Sequence, residues 1–257
     1  MALDTPLDRV LAKAKSENRA ALIAYIPAGF PSHEGCKKVI AAFPYSDPVM
    51  DGPTIQAAAV QSLSQGTGAK EVFESLQCAH DHGVAAVVMT YWNPIERYGV
   101  DKFAQAIADH GGSGVITPDL TVEESEGWIT ATDASGINRI YVVAPSTSDS
   151  RLPVVTSNCG GFVYAASMMG VTGTRSSVSS SAAELVARVR TTTETPISVG
   201  LGVSNREQAR SVAGYADGVI VGSAFINALL EAPDEAAGLR AVKELAQELA
   251  LGVREGR

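Results

Sequence analysis

Cysteine is scarce in this chain and shows no pairing pattern. Cys36, Cys78 and Cys159 are odd in number, far apart and outside any CxxC spacing. This fits a reducing cytoplasm better than a disulfide framework, with each thiol serving as a small buried hydrophobe. Long apolar runs are missing as well: none approaches the roughly 18 residues that cross a bilayer, and Met1 to Asp8 carries no signal-peptide pattern. Positive charge is in deficit, with 20 Lys and Arg against 28 Asp and Glu and a net charge of -8. Such a surface offers no field to a phosphate polymer or an anionic membrane, so neither is expected as the main partner. An anionic metabolite would need local backbone donors instead. Histidine is sparse too: His80, His82 and His110 stand at helix ends, His33 precedes Glu34, and none belongs to a metal constellation. Together these absences predict a soluble cytoplasmic protein without a metal site.

What is present is enough apolar material for a core. The 257 residues are 46% hydrophobic and 19% charged, and no linker, repeat or low-complexity segment interrupts them, so residues 1–257 read as a single domain. Short apolar segments alternate with helical patterns. The strand candidates are Ala21–Ile26, Ala85–Tyr91, Gly114–Thr117, Ile140–Ala144, Phe162–Ala166, Ile197–Leu201 and Gly218–Val221. Most are rich in Val and Ile with little polar alternation, the signature of strands covered on both faces. Between them lie amphipathic stretches such as Val100–Asp109, Val122–Thr132, Ala182–Arg190 and Arg206–Gly214, opened by caps or acidic first turns at Asp101, Glu123 with Glu124, Ser181 and Asn205. A helix near Leu7–Ser16 precedes the first strand and Asp234–Leu251 closes the chain. Repeated strand–helix units imply parallel strands with right-handed crossovers, and their number predicts an α/β fold of the TIM (β/α)8 barrel type.

One unit is short. Only twelve residues, Ser32–Phe43, separate Pro31 from Pro44, whereas a barrel unit needs a helix of about ten residues, a loop and a strand of about five. Gly35–Phe43 could be a helix or Val39–Phe43 a strand, but the segment is too short for both.

Two regions carry chemistry. Pro44–Gln56 confines Asp47, Asp51, three prolines and a glycine to one stiff loop that aims its side chains, although a carboxylate in such a loop can equally be a turn-former or a cap. Glycines also cluster after the last three strand candidates, in Gly170-Val171-Thr172-Gly173, Gly200-Leu201-Gly202 and Gly222-Ser223. Strand C-termini form the active face of a barrel, and glycines there let amides approach an anion. Ser223 can add its hydroxyl where it opens the segment Ala224–Leu230. The order of these segments predicts a phosphate cradle.

With Met89–Pro94, Thr117-Pro118-Asp119, Phe162–Ser167 followed by Gly170–Arg175, Val199–Ser204 and Ala216–Phe225, these motifs make the chain resemble the α subunit of tryptophan synthase, indole-3-glycerol-phosphate lyase. The likeness runs from about Ala21 to Leu230. It implies retro-aldol cleavage of indole-3-glycerol phosphate to indole and glyceraldehyde 3-phosphate. By position it implies that Asp51 accepts from the indole N–H and that Tyr164 lies beside the substrate, with Thr172 in a mobile loop closing over it. Gly173, Gly202, Gly222 and Ser223 match phosphate contacts, and Tyr25, Met89 and Ile116 are candidates for the indole pocket, though Met or Ile inside a barrel is more often plain core. Asp47, Pro48, Asn93 and Pro94 match the surface that docks on the family's β subunit, implying an α2β2 heterotetramer. No cofactor is implied for this subunit; pyridoxal phosphate belongs to the β partner.

The chain departs from the family at the second strand, where a glutamate four residues before the loop proline acts as general acid. Ile40 stands there, the segment is about a dozen residues shorter than the family pattern, and Glu34, the nearest acid upstream, lies where the first helix begins. Either the sequence as written omits a stretch that a complete enzyme possesses, with Phe43-Pro44 an artificial junction, or the barrel closes with a damaged second unit. Intact flanks favour the omission. Two other functions stay open: a cleavage-deficient subunit that still docks on the β partner, and another phosphosugar barrel such as an isomerase or synthase, which would leave Pro44–Gln56 unexplained.

Overall fold

The computed structural model describes residues 3–32, 44–47, 51–166 and 175–257, with the side chains of 175–180 excepted. The expected helix Gly35–Phe43 or strand Val39–Phe43, and with them His33, Glu34, Cys36, Ile40, Pro48, Thr172 and Gly173, lie outside the described residues.

All ladders are parallel. Strands β1 (Ala21–Ala24), β2 (Val88–Met89), β3 (Gly114–Ile116), β4 (Asn138–Ile140), β5 (Val142–Val143), β6 (Val163–Ala166), β7 (Ile197–Gly200) and β8 (Gly218–Val221) pair in the orders β2-β3-β4 and β5-β6-β7-β8-β1. Only Tyr141 separates β4 from β5, and its carbonyl accepts from the Tyr164 amide at 3.1 Å, so the two halves form one barrel strand. The described strands thus follow one another round an arc from β2 to β1 in the order a (β/α)8 barrel requires. The arc's two ends are not joined by a described strand.

The helices are α1 (Pro6–Ser16), α2 (Pro53–Ser64), α3 (Ala69–Asp81), α4 (Trp92–Tyr98), α5 (Val100–Asp109), α6 (Glu126–Ser135), α7 (Leu152–Thr156), α8 (Arg175–Arg190), α9 (Arg206–Ala213), α10 (Ser223–Leu230) and α11 (Glu235–Glu255). Helix α1 plugs the N-terminal end of the barrel. Its Leu7 and Leu11 pack with Ile116, Ile140, Phe162 and Ile220 from the strands. Thr5 and Asp8 form a capping box, and the buried Asn138 amide donates to Thr5 Oγ1 at 3.0 Å and Asp8 Oδ2 at 3.1 Å, tying the cap to β4.

Several sequence expectations need correction. The strand expected over Ile140–Ala144 begins at Asn138, because Asn138 is satisfied by α1 and can be buried. Val122–Thr132 is a 3-10 turn, Val122–Glu124, followed by α6; the break falls at Ser125, whose buried hydroxyl donates to the Val122 carbonyl and accepts from Tyr141. Ser181 is no cap but lies inside α8, whereas Asp101 does supply an acidic first turn, that of α5. Asn205 does cap α9, accepting from the Gln208 amide at 3.0 Å. The stiff loop ends earlier than Gln56, since Pro53 starts α2; a proline at the first helical position removes only an amide that would lack a helical partner anyway.

Asp217 fastens the end of the barrel opposite the glycine loops. Its carboxylate accepts from the Ile197 amide at 2.9 Å, from Arg257 at 2.9 Å and from Arg190 at 2.6 Å. Burial opposes its ionisation, but these donors outweigh burial and hold its pKa below the ordinary carboxylate value. Asp217→Ala leaves the Ile197 amide unpaired and is expected to lower stability by about 1–3 kcal/mol in urea unfolding at pH 7. Because the folded-state pKa is depressed, that contribution is present above the unfolded value of 3.8 and is lost as pH falls below it. The two proteins should therefore converge in acid; an equal gap at pH 7 and at the acid end would show that the carboxylate charge is not what stabilises.

Candidate active site

Parallel register decides which side chains meet at the C-terminal end of the strands. Ile23 of β1 pairs with Ile220 of β8, and both lie in the inner cluster with α1. Two residues on, Tyr25 and Gly222 again share the inner side. The Tyr25 amide donates to the Val221 carbonyl at 2.8 Å, and a Cβ added at Gly222 would stand 3.1 Å from Tyr25 Cδ1. Tyr164 repeats the pattern one ladder over: it pairs with Ser198, and a Cβ at Gly200 would lie 2.6 Å from its hydroxyl. Glycine at 200 and 222 is therefore what makes room for two tyrosines at the mouth.

Asp51 is the carboxylate these tyrosines face. It is half-buried just before α2, its carbonyl accepting from the Gln56 side chain at 2.8 Å. Burial pushes the Asp51 carboxyl up to about 6 from an ordinary value of 3.8. Burial, with the Asp51 charge next, pushes Tyr164 up to about 12. Tyr25 is raised well above the usual phenol value by burial and then by the charges of Asp51, Tyr164 and Tyr91. At neutral pH the site holds one carboxylate and neutral phenols.

Two of the glycine loops, those at Gly200–Gly202 and Gly222, adjoin these tyrosines. Gly202 has φ +77°, a left-handed conformation that disfavours any side chain. Gly222 precedes α10, and its carbonyl takes the amides of Phe225 and Ile226. Among the described residues the amides of Ser223 and Ala224 have no partner, so the helix start keeps two donors for an anion. Met89 and Ile116 are adjacent strand partners, and with Tyr164 they belong to the inner cluster, as an apolar pocket wall requires. Among the described residues no group of three His, Cys, Asp or Glu could hold a metal.

The expected docking residues lie beside the mouth. Asp47 and Asn93 are exposed and Pro94 is half-buried in α4. Four residues with no expected role hold this region together. The rings of Tyr45 and Tyr91 stack at 5.0 Å, and the Trp92 amide donates to both oxygens of Asp119 at 3.0 Å. All four fall inside the motifs quoted above; an Asp beside a Pro in a loop is a recurrent capping signal, whereas a ring contact over 46 residues of sequence leaves no local trace.

A family model described as tryptophan synthase alpha chain matches residues 11–254. The tryptophan synthase alpha chain of Thermobifida fusca (strain YX) is 53% identical over 265 residues, covering 97% of this chain and 98% of its own. That of Streptomyces coelicolor is 52% identical over 261 residues, covering 96% of each. Both alignments are longer than the 257 residues of this chain, so each relative carries residues that the chain lacks. Among solved structures, Mycobacterium tuberculosis tryptophan synthase in space group F222 superposes with a TM-score of 0.89 at 43% identity, covering 99% of both chains. Tryptophan synthase subunit alpha from Legionella pneumophila str. Paris gives 0.82 at 28% identity, covering 98% of both.

If the glycine loops cradle an anion, Gly222→Asp crowds Tyr25 and adds a like charge beside the free amides. Calorimetry with a phosphorylated ligand should show affinity reduced by about tenfold or more, with Gly222→Ala, which is only crowded, losing less. Unchanged affinity in Gly222→Asp removes the cradle.

Proposed function

The chain belongs to the tryptophan synthase alpha chain family, a lyase that cleaves indole-3-glycerol phosphate, and we propose that Asp51, Tyr164 and the glycine loops carry this reaction on its TIM barrel. The observation that supports the assignment is the half-buried Asp51 carboxylate, close enough to Tyr25 and Tyr164 to act on both phenols, together with the helix start after Gly222 whose first amides are unpartnered among the described residues.

Cleavage proceeds by protonation of the indole ring carbon that bears the glycerol chain, which places positive charge on the ring nitrogen. Loss of the proton from the adjacent side-chain hydroxyl forms the aldehyde C=O; the C–C bond breaks and its electron pair restores the aromatic ring. Asp51 accepts from the ring N–H, and its carboxylate stabilises the cation as it develops. In a half-buried setting that attraction is stronger than in water. Tyr25, Met89 and Ile116 enclose the ring, and Tyr164 stands beside the bond that breaks. The amides about Gly202, Gly222 and Ser223, with Gly173, hold the phosphate, and Thr172 belongs to the covering loop. These contacts hold the substrate at both ends.

The β subunit is this family's partner. Asp47, Pro48, Asn93 and Pro94 form the docking surface, in an α2β2 assembly whose pyridoxal phosphate resides in the partner; this subunit works without a cofactor, as one domain, in the cytoplasm. Among the described residues no helix is long and apolar enough to cross a membrane. The family's general acid has Ile40 at its position, and the relatives' extra residues fit an omitted second unit. A turnover assay on indole-3-glycerol phosphate, with and without the β subunit, tests the lyase step: stimulation of the partner without cleavage would mark a docking subunit instead.

Asp51→Asn should lower kcat by about 10²–10³ with little change in KM, because the interaction is needed most when the ring becomes cationic. The ionised form is the active one, so wild-type kcat should fall as pH drops through about 6. A rate that barely moves in Asp51→Asn would make the residue structural.

A further inference from the structure

Asp51 needs a support that it cannot supply. A half-buried carboxylate favours any movement that returns it to water. Among the described residues, the Asp51 carbonyl accepts from the Gln56 side chain, but no hydrogen bond to its carboxyl oxygens is seen. The restraint must come from elsewhere on the loop. Tyr45, six residues before Asp51, lays its ring on Tyr91 with centroids 5.0 Å apart and planes 30° apart.

Tyr91 is a firm base. It is 5% exposed and is the cap residue of α4. The next residue, Trp92, is pinned twice: its amide by both Asp119 oxygens at 3.0 Å, and its ring edge-on against the fully buried Trp128 at 6.0 Å. Tyr91 also lies close enough to Tyr25 to act on its phenol electrostatically, as Asp51 and Tyr164 do. The ring stack thus borders the same group of tyrosines that the Asp51 charge reaches.

Resting on the role proposed for Asp51, we propose that Tyr45 and Tyr91 are positioning residues, whose stacked rings anchor the chain ahead of Asp51 so that its carboxylate stays inside the barrel mouth. Neither ring reacts. An aromatic pair adds modest stabilisation beyond its buried area, which suits a loop that must be held without being locked. Asn93 follows two residues after Tyr91 and Asp47 two after Tyr45, so the exposed surface and the carboxylate share one mount.

The test is a carbon-13 carboxyl NMR titration of Asp51 in the full chain, its resonance assigned by Asp51→Asn. The groups facing it are Tyr25 and Tyr164, both neutral through the range, with Tyr91 acting on Tyr25. The wild type should titrate near 6, and Tyr45→Phe, which keeps the stack, should match it. Tyr45→Ala should fall by about one unit or more towards 3.8 as water reaches the carboxyl. Tyr91→Leu removes the stack from the other side while filling the buried position, and should fall likewise; it decides the matter if Tyr45→Ala does not fold. Wild-type midpoints in both stack-breaking variants overturn the proposal. So does a fall in Tyr45→Phe equal to that in Tyr45→Ala, or a wild-type midpoint already near 3.8. The titration needs neither turnover nor partner, so its failure is separate from failure of the lyase assignment.

Discussion

Keeping one carboxylate out of water at the end of a parallel barrel is the constraint on which the rest of this structure turns. Asp51 does not gain its setting from a neighbouring cation; burial alone raises its pKa. With a pKa near 6 such a group is mostly ionised at neutrality, and it acts through a low-dielectric path on positive charge brought close to it. Two tyrosines supply that path, and glycine at 200 and 222 gives them the space. Removing water, rather than adding charge, is how this site makes a single carboxylate effective.

The barrel makes the arrangement possible because its register is set far from the site. At the opposite end, Asp217 collects the Ile197 amide and two arginines, while Asn138 binds the cap of the first helix. The Asp217 contacts fix the strands whose other ends carry Gly200 and Gly222, and Asn138 fixes the strand that pairs with that of Tyr164. A one-residue slip would turn every inward side chain outward, so order at the base is a condition for Tyr25 meeting Gly222 at the mouth.

Much of this was legible because it is local. Val100–Asp109 was read to the residue, since Phe103, Ala104 and Ile107 mark one helical face, and Gly218–Val221 because a run of four apolar residues before Gly-Ser admits little else. Asp51, Gly222 and Ser223 stood out through loop chemistry and likeness to a family. What escaped depends on distant partners. Asn138 looks too polar for a strand until Thr5 and Asp8 satisfy it, Ser125 breaks a helix because Tyr141 bonds to it, and nothing near Tyr45 announces Tyr91. Helix α3, Ala69–Asp81, was given no element, although Val72, Phe73, Leu76 and Ala79 line one side and Glu71 bonds back to the Gly68 amide.

The central claim is that Asp51 faces an indole ring whose phosphate tail reaches the amides around Gly222 and Ser223. A crystal structure with a non-cleavable indole-alkyl phosphate tests it most directly. The account predicts the ring N–H within hydrogen-bond distance of Asp51 and the phosphate on the Gly202, Gly222 and Ser223 backbone. A ligand bound with its ring turned from Asp51, or with its phosphate away from those amides, would contradict it.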